Sequence, residues 1–227
     1  MTNIYGSLIN GEWCNVGNEI ANINPSESSQ VLGHLISANA RQIDDAVSAE
    51  TKYGHISGWD TSEVTNMGGM CGYAKAFNQP LDNWDVSNVT DMSWMFNEAS
   101  AFNQSLNNWD VSNVTDMSWM FSSEETESFA FNQPLNNWDT SSATNMEGMF
   151  SNNLVFNQDL SNWNVSNGNY FVSMFNRAKD FNQDLNKWKI KDTAIDFKMF
   201  DDIKFNKNNL QKIITEKPAI LLEPCKV

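Results

Sequence analysis

The chain has 227 residues, and its 14 basic residues against 28 acidic ones give a formal net charge of −14. This length corresponds to one domain or to a repeat array with a short extra piece, and 41% apolar residues are enough for a sizeable core. Phosphate backbones repel so acidic a chain, which argues against nucleic-acid binding. Residues 1–176 carry 3 bases and 20 acids, whereas residues 177–227 carry 11 bases and 8 acids.

The N-terminal residues, MTNIYGSLINGEWC, contain neither the basic nor the apolar region of a signal peptide. No run approaches the roughly 18 apolar residues of a membrane helix. We therefore expect no membrane insertion, and a chain that stays where it is made. Three distant cysteines without a Cys-x-x-Cys pair predict neither a disulfide framework nor a zinc site.

Residues 1–50 carry no repeat and predict a strand in LINGEWCN, a turn in EIANINPSES, a strand in QVLGHLIS and a helix over Ala40–Glu50. The string INGEW…NINPS…QVLGHLISANARQIDDAVSA resembles the N-terminal tip of aldehyde dehydrogenases. The parts of such an enzyme that bind cofactor and carry its catalytic cysteine and glutamate have no counterpart here, so no catalytic residue is transferred. The segment is interpreted either as a recruited cap or as a neutral fusion.

A repeat of about 25 residues dominates the rest of the chain. The triplet Phe-Asn-Gln recurs five times, and a polar insertion within SSEETES lengthens one interval to 29 residues. Tryptophan and methionine mark the same period at Trp59, Trp84, Trp109, Trp138, Trp163 and Trp188 and at Met70, Met95, Met120, Met149, Met174 and Met199.

Each unit is predicted to form one short strand and one short helical turn. In the second unit Trp84 and Val86 alternate across Asp85, as on a half-buried strand. Apolar residues from Val89 onward then recur at nearly helical spacing, and Ser93 is the predicted N-cap of a helical turn over 94–99. The predicted fold class is therefore an α/β repeat solenoid of the leucine-rich type, with six rungs of about 25 residues.

The recurring string NWDVSNVTDMSWMF followed by FNQ resembles the BspA-like leucine-rich-repeat family, in a branch of mycoplasma-type surface lipoproteins. The resemblance covers residues 56–204 and implies a surface-exposed, non-enzymatic protein in adhesion or partner binding. The chain lacks the signal segment of that family, so its location is left open. The predicted domains are an aldehyde-dehydrogenase-like N-terminal segment of a hairpin plus a helix (1–53), six repeats (54–204) and a C-terminal helical cap (205–227), with a helix over 207–217.

The residue between tryptophan and the following apolar position forms an acidic column. Alternation on the predicted strand would put it on the concave face of a sheet, where neighbouring carboxylates repel each other. Calcium, a basic protein partner, or Ser, Asn and backbone N–H donors are the three alternatives for its compensation. The column comprises Asp60, Asp85, Asp110, Asp139, Asn164 and Lys189.

A second column contains two tryptophans, Trp94 and Trp119, at a position that is Gly69, Gly148, Ser173 or Lys198 elsewhere. A position that accepts glycine and lysine is not core, so both indoles are expected to be exposed and stacked. Such a pair serves either as a contact anchor for protein or sugar, or only as a self-stacked surface. By contrast, the recurrent asparagines of Phe-Asn-Gln are expected to satisfy turn backbone groups.

The sequence thus favours a non-enzymatic scaffold that recognises a protein or a glycan through its acidic face, without a cofactor. The candidate binding residues are Asp60, Asp85, Asp110, Asp139, Trp94 and Trp119. The alternatives are a calcium-stabilised structural spacer and a non-functional fusion that carries an aldehyde dehydrogenase fragment.

Overall fold

The computed structural model describes residues 55–123, 129–203 and Asn209, together with the backbone of three short strands near the N-terminus. These strands, β1 (Gly6–Ile9), β2 (Glu12–Asn15) and β3 (Ile20–Ala21), form an antiparallel sheet in the order β1-β2-β3. Pairing of Ile9 with Glu12 leaves only an Asn-Gly pair between β1 and β2, the strongest short-range signal for a hairpin. The single strand predicted in LINGEWCN is therefore wrong, and the predicted helices over Ala40–Glu50 and 207–217 lie outside the described residues.

The repeats stack on one another, and we call each repeat a coil, numbered one to six by its tryptophan from Trp59 to Trp188. Each of the first five coils ends with a Phe-Asn-Gln triplet, so the six coils begin at residues 55, 80, 105, 134, 159 and 184. The coils run parallel, because one residue of each makes an isolated parallel β-bridge with its counterpart in the next. Each bridge spans one repeat interval in the sequence. The bridging residues are Asn66, Asp91, Asp116, Asn145, Tyr170 and Ile195.

The predicted α/β repeat solenoid is wrong. Within residues 55–123 and 129–203 the backbone forms no strand, only isolated bridges, and its one helical element is the 3-10 turn Ile56–Gly58. No helix in the described part of the chain is long and apolar enough to cross a membrane. The unit of this fold is a series of tight turns instead of a strand followed by a helical turn.

The turns exist because residues of left-handed backbone interrupt what the sequence pattern presents as a helix. In coil two, φ is +60° at Trp94 and +59° at Glu98, values that a right-handed helix does not accept. Each residue is the third of a four-residue turn, closed by the N–H of Met95 on Met92 in one case and of Ala99 on Phe96 in the other. Apolar side chains thus recur at nearly helical spacing although no helix forms.

Along the turn segment, successive backbone N–H groups donate alternately to an oxygen atom of the same coil, which closes a local turn, and to a carbonyl of the next coil. In coil two, every second N–H from Met92 to Glu98 donates to a carbonyl of coil three, at N···O distances of 2.8–3.0 Å. Four such bonds join each of the five pairs of consecutive coils. The donors of coil two and their acceptors are Met92 to Asp116, Trp94 to Ser118, Phe96 to Met120 and Glu98 to Ser122.

Stacked aromatic side chains fill the interior of the coils. The fully buried Phe121 ring lies 4.0 Å, centroid to centroid, from Phe131 in its own coil. It also stacks on Phe96 at 5.6 Å and on Phe150 at 5.7 Å in the coils before and after. Buried tryptophans run beside this array, and the indole N–H of each from Trp84 to Trp188 donates to a carbonyl of the preceding coil at 2.8–2.9 Å.

The asparagines of Phe-Asn-Gln form a ladder along the stack, as predicted. The side-chain oxygen of Asn78 accepts from the backbone N–H of Asn103, and the same bond recurs from coil to coil. Asn209, in the predicted C-terminal cap, extends the ladder by donating to Asn182. The remaining donors and acceptors are Asn132 to Asn103, Asn157 to Asn132 and Asn182 to Asn157.

Phe121→Ala is expected to lower the free energy of unfolding by about 3–5 kcal/mol, because it removes a ring packed against three others and leaves a cavity. Phe197→Ala, which truncates a phenylalanine that is 52% exposed, is the matched control and should cost far less. Urea unfolding followed by circular dichroism measures both. Equal losses in the two variants would contradict the assigned core.

Candidate functional site

The acidic column lies on exposed turns of the stack and on no sheet, so its predicted place on the concave face of a sheet is wrong. Each of Asp60, Asp85, Asp110 and Asp139 is exposed and accepts the backbone N–H of the serine two residues later, at 3.0–3.1 Å. The Ser62 and Ser87 hydroxyls add a second bond to Asp60 and Asp85 at 2.7 and 2.6 Å. The same bond joins Ser166 to Asn164, so the first five members of the column form Asx turns, whereas Lys189 in coil six does not.

These serine donors compensate the like charges of the column. Hydrogen bonds from the Ser87 hydroxyl and backbone N–H hold the pKa of Asp85 below its usual range, although desolvation and the charge of Asp60 oppose them. The Ser62 hydroxyl and N–H lower the pKa of Asp60, and those of Ser141 lower the pKa of Asp139. Of the three predicted means of compensation, the structure supports the local donors.

A second pair of carboxylates, which the sequence analysis missed, lies at the bridge position. Asp91 and Asp116 are bridge partners in adjacent coils, and each accepts both the N–H and the hydroxyl of the serine two residues later. The signal in the sequence is that Asp-x-Ser occurs twice in coil two and twice in coil three. An asparagine flanks the pair on either side, with Asn66 donating to Asp91 and Asn145 to Asp116, both at 3.0 Å.

None of these carboxylates forms a metal site by itself. Within 55–123 and 129–203, no three His, Cys, Asp or Glu side chains lie close enough to hold a metal ion. The described histidine, His55, caps the 3-10 turn by accepting from Ser57. Cys71 is buried, and desolvation raises the pKa of its thiol far above its usual range, so it is protonated at neutral pH.

The two candidate tryptophans stack on each other, as predicted, but the predicted exposure holds only for Trp94. The rings of Trp94 and Trp119 lie 5.4 Å apart, centroid to centroid, with 22° between their planes. Trp94 is 38% exposed and Trp119 is half-buried. Aromatic pairs in this arrangement contribute roughly 0.5–1.5 kcal/mol beyond the burial of their area.

All six members of this column have left-handed backbone, and we call it the left-handed column. Its φ values lie between +54° and +65°. Glycine accepts such values freely, whereas a bulky side chain there is a backbone outlier that costs roughly 1–2 kcal/mol. The sequence signal for left-handed backbone is that glycine occupies this position in some coils and larger residues occupy it in others. The sequence analysis uses this signal only to predict exposure. The members are Gly69, Trp94, Trp119, Gly148, Ser173 and Lys198.

Glycines on either side set the limits of the indole stack. The Trp119 ring lies directly on Gly148, where an added Cβ would overlap it. The side chains of the column therefore lean toward the following coil, and Trp94 leans onto Trp119 in the same way. At the other end, an added Cβ on Gly69 would meet no atom within 4 Å. The column thus places no side chain over the outer face of Trp94.

Trp94→Gly is expected to change the free energy of unfolding by less than about 1.5 kcal/mol, because relief of the left-handed backbone offsets much of the lost stacking. Trp109→Ala, which truncates a tryptophan that is 3% exposed, should cost about 3–5 kcal/mol. Thermal and urea unfolding of both variants tests this difference. A loss at Trp94 as large as that at Trp109 would show that the exposed indole is needed for folding.

Acid should destabilise the stack through the acidic column. A folded-state pKa below that of the unfolded chain adds stability above the unfolded pKa, and this stability is lost as the pH falls through the folded-state pKa. Stability should therefore decrease below about pH 4, the unfolded pKa of aspartate. Ser87→Ala removes the largest cause of the lowered pKa of Asp85 and should reduce this dependence. Melting temperatures of the native chain and of Ser87→Ala between pH 7 and pH 3 measure this pH dependence. Parallel curves for the two proteins would contradict the assignment of the lowered pKa of Asp85 to Ser87.

Comparison with known proteins yields one family. A family model described as "Mycoplasma protein of unknown function, DUF285" matches residues 41–130 and 125–213. These two matches together span more than half of the chain and include all six coils. No curated protein and no solved structure matches the chain.

Proposed function

Because the chain belongs to the DUF285 family, whose function is unknown, we propose a function from the geometry of its surface. The repeat region is a non-enzymatic recognition scaffold that binds a protein or a glycan, and the Trp94–Trp119 stack is its contact anchor. The observation that carries the proposal is the placement of two large indoles on left-handed backbone at the surface.

The backbone strain at Trp94 and Trp119 supports a functional role for the pair. Folding alone does not require tryptophan in the left-handed column, since glycine, serine and lysine occupy the same backbone in other coils. Left-handed conformations of bulky residues cluster at functional sites, where the surrounding structure holds them in place. The turns of coils two and three are held in this way by backbone bonds to the coils on either side.

Partly exposed aromatic pairs also suit recognition on energetic grounds. Tryptophan is among the residues most enriched at binding hot spots, because it brings a large apolar area with little conformational entropy to lose. The pair is already stacked, so a ligand need not order it. The Asp91 and Asp116 carboxylates, which accept from the serines directly before Trp94 and Trp119, give this surface a negative potential that favours neutral or basic ligands over acidic ones.

The test compares the full chain with the double variant Trp94→Ser and Trp119→Ser on an array of purified proteins and an array of defined glycans. Serine is chosen because Ser173 has the same backbone conformation in coil five. We expect at least one ligand that the native chain binds and the double variant binds at least tenfold more weakly.

The control is Tyr170→Ser, which removes an aromatic side chain that is 45% exposed and lies outside the left-handed column. This variant should bind like the native chain, and all variants should retain the native circular dichroism spectrum. No binding on either array, or equal binding by the native chain and the double variant, would refute the proposal.

A further inference from the structure

We propose that the outer face of Trp94 is a carbohydrate subsite, on which one neutral pyranose ring stacks over the glycine-rich turn of coil one. This inference rests on the proposed function and names the class of ligand. Four features carry it: the open indole face, the missing side chains of coil one, the oxygen atoms beside the gap, and the sign of the surrounding charge.

The outer face of Trp94 is left uncovered by the left-handed column because Trp94 and Trp119 each lean toward the following coil. Trp119 lies on Gly148 and Trp94 stacks on Trp119, so one face of each indole is covered by the following coil. Gly69, which donates its N–H to the Ser93 carbonyl at 2.7 Å, is the column member on the other side of Trp94. Since a Cβ on Gly69 would meet nothing within 4 Å, the stack ends in an indole that the column leaves uncovered.

Coil one lacks side chains where its neighbour has them, and we call this gap the glycine notch. It consists of Gly68, Gly69 and Gly72, at the positions that Ser93, Trp94 and Asn97 occupy in coil two. The turn of coil one next to Trp94 therefore presents bare backbone. The open space lies at Gly69, where an added Cβ would meet no atom within 4 Å, and a flat ring can approach the indole there without displacing a side chain.

Oxygen atoms border the glycine notch. A Cβ on Gly68 would lie 3.1 Å from the side-chain oxygen of Asn66 and 3.3 Å from the Ser93 hydroxyl, so both oxygen atoms lie close to the backbone at the edge of the notch. Asn66 accepts from the Gly68 N–H and Ser93 donates to Asp91, and each oxygen retains a lone pair for another donor. A sugar hydroxyl at the edge of the indole can supply that donor.

This combination favours a pyranose over other planar or apolar ligands. A pyranose offers one face of C–H groups to an aromatic ring and hydroxyl donors at its rim, which matches an indole bordered by acceptors. Nucleotides and other phosphorylated ligands are disfavoured because the Asp91 carboxylate, which accepts from the Ser93 hydroxyl at the edge of the notch, repels phosphate, and the chain as a whole has a formal net charge of −14. Acidic sugars are disfavoured for the same reason.

The first experiment titrates the full chain with maltohexaose, cellohexaose and chitohexaose by isothermal titration calorimetry, after a glycan array that contains neutral and acidic glycans. We expect a neutral glycan to bind with a dissociation constant between micromolar and millimolar. Trp94→Ser should weaken this binding at least tenfold, and Tyr170→Ser should leave it unchanged.

A second variant fills the notch and leaves the indole in place. Gly69→Lys introduces the residue that coil six has in the left-handed column, Lys198 with φ +54°. Its aliphatic stem is expected to lean onto Trp94, as the Trp119 ring leans onto Gly148 in the following coil. It too should weaken binding at least tenfold. An unchanged affinity in Gly69→Lys or in Trp94→Ser would overturn the location of the subsite, even if a glycan binds elsewhere on the chain.

The outcomes separate this inference from the proposed function. If no neutral glycan binds but a protein ligand is lost on replacing Trp94 and Trp119, the carbohydrate subsite is refuted and the recognition scaffold stands. If only acidic glycans bind, the charge argument and the subsite fail together. If neither array yields a ligand that depends on the two tryptophans, both proposals are refuted.

Discussion

The alternation of backbone hydrogen bonds is the constraint on which the rest of this structure depends. Every second N–H of the turn segment bonds to the next coil, and those in between close turns within their own coil. Both sets of bonds can form only if some residues of each coil have positive φ, which excludes a helix and ends any strand after one bridge. A coil has few of these bonds without a neighbour, so its stability depends on the coils beside it.

The same constraint creates the candidate site. The left-handed residue of each coil recurs at the same place in the turn, and the repeat aligns these residues from coil to coil into the left-handed column. Where that column holds glycine, nothing projects, whereas in coils two and three it holds two stacked indoles. The backbone geometry that lets the coils stack therefore also sets the position, the spacing and the open end of the aromatic pair.

The acidic column shows how local hydrogen bonds can remove the need for a partner. A ladder of like charges was a reason to expect calcium or a basic protein, because adjacent carboxylates repel each other. Each of the four aspartates instead accepts from the serine two residues later, and for Asp85 these bonds outweigh the repulsion by Asp60. The recurring Asp-x-Ser is thus explained by turn formation, and the binding proposal depends on Trp94 and Trp119.

The sequence by itself determined the repeat, its six members, the buried aromatic and methionine positions, the asparagine ladder and the stacked pair Trp94 and Trp119, because each is a matter of periodicity and residue type. It did not determine the fold class. Apolar spacing from Val89 to Ala99 resembles that of a helix, and only the tertiary structure shows that bonds to the next coil force Trp94 and Glu98 into left-handed backbone. Likewise, the sequence shows that Gly69 is a member of the second column, and only the stacking of coils reveals that this glycine leaves one face of the Trp94 indole uncovered by the column. The physical reason is that hydrogen bonds between residues 24 or 28 apart decide the local conformation, and a local pattern does not contain them.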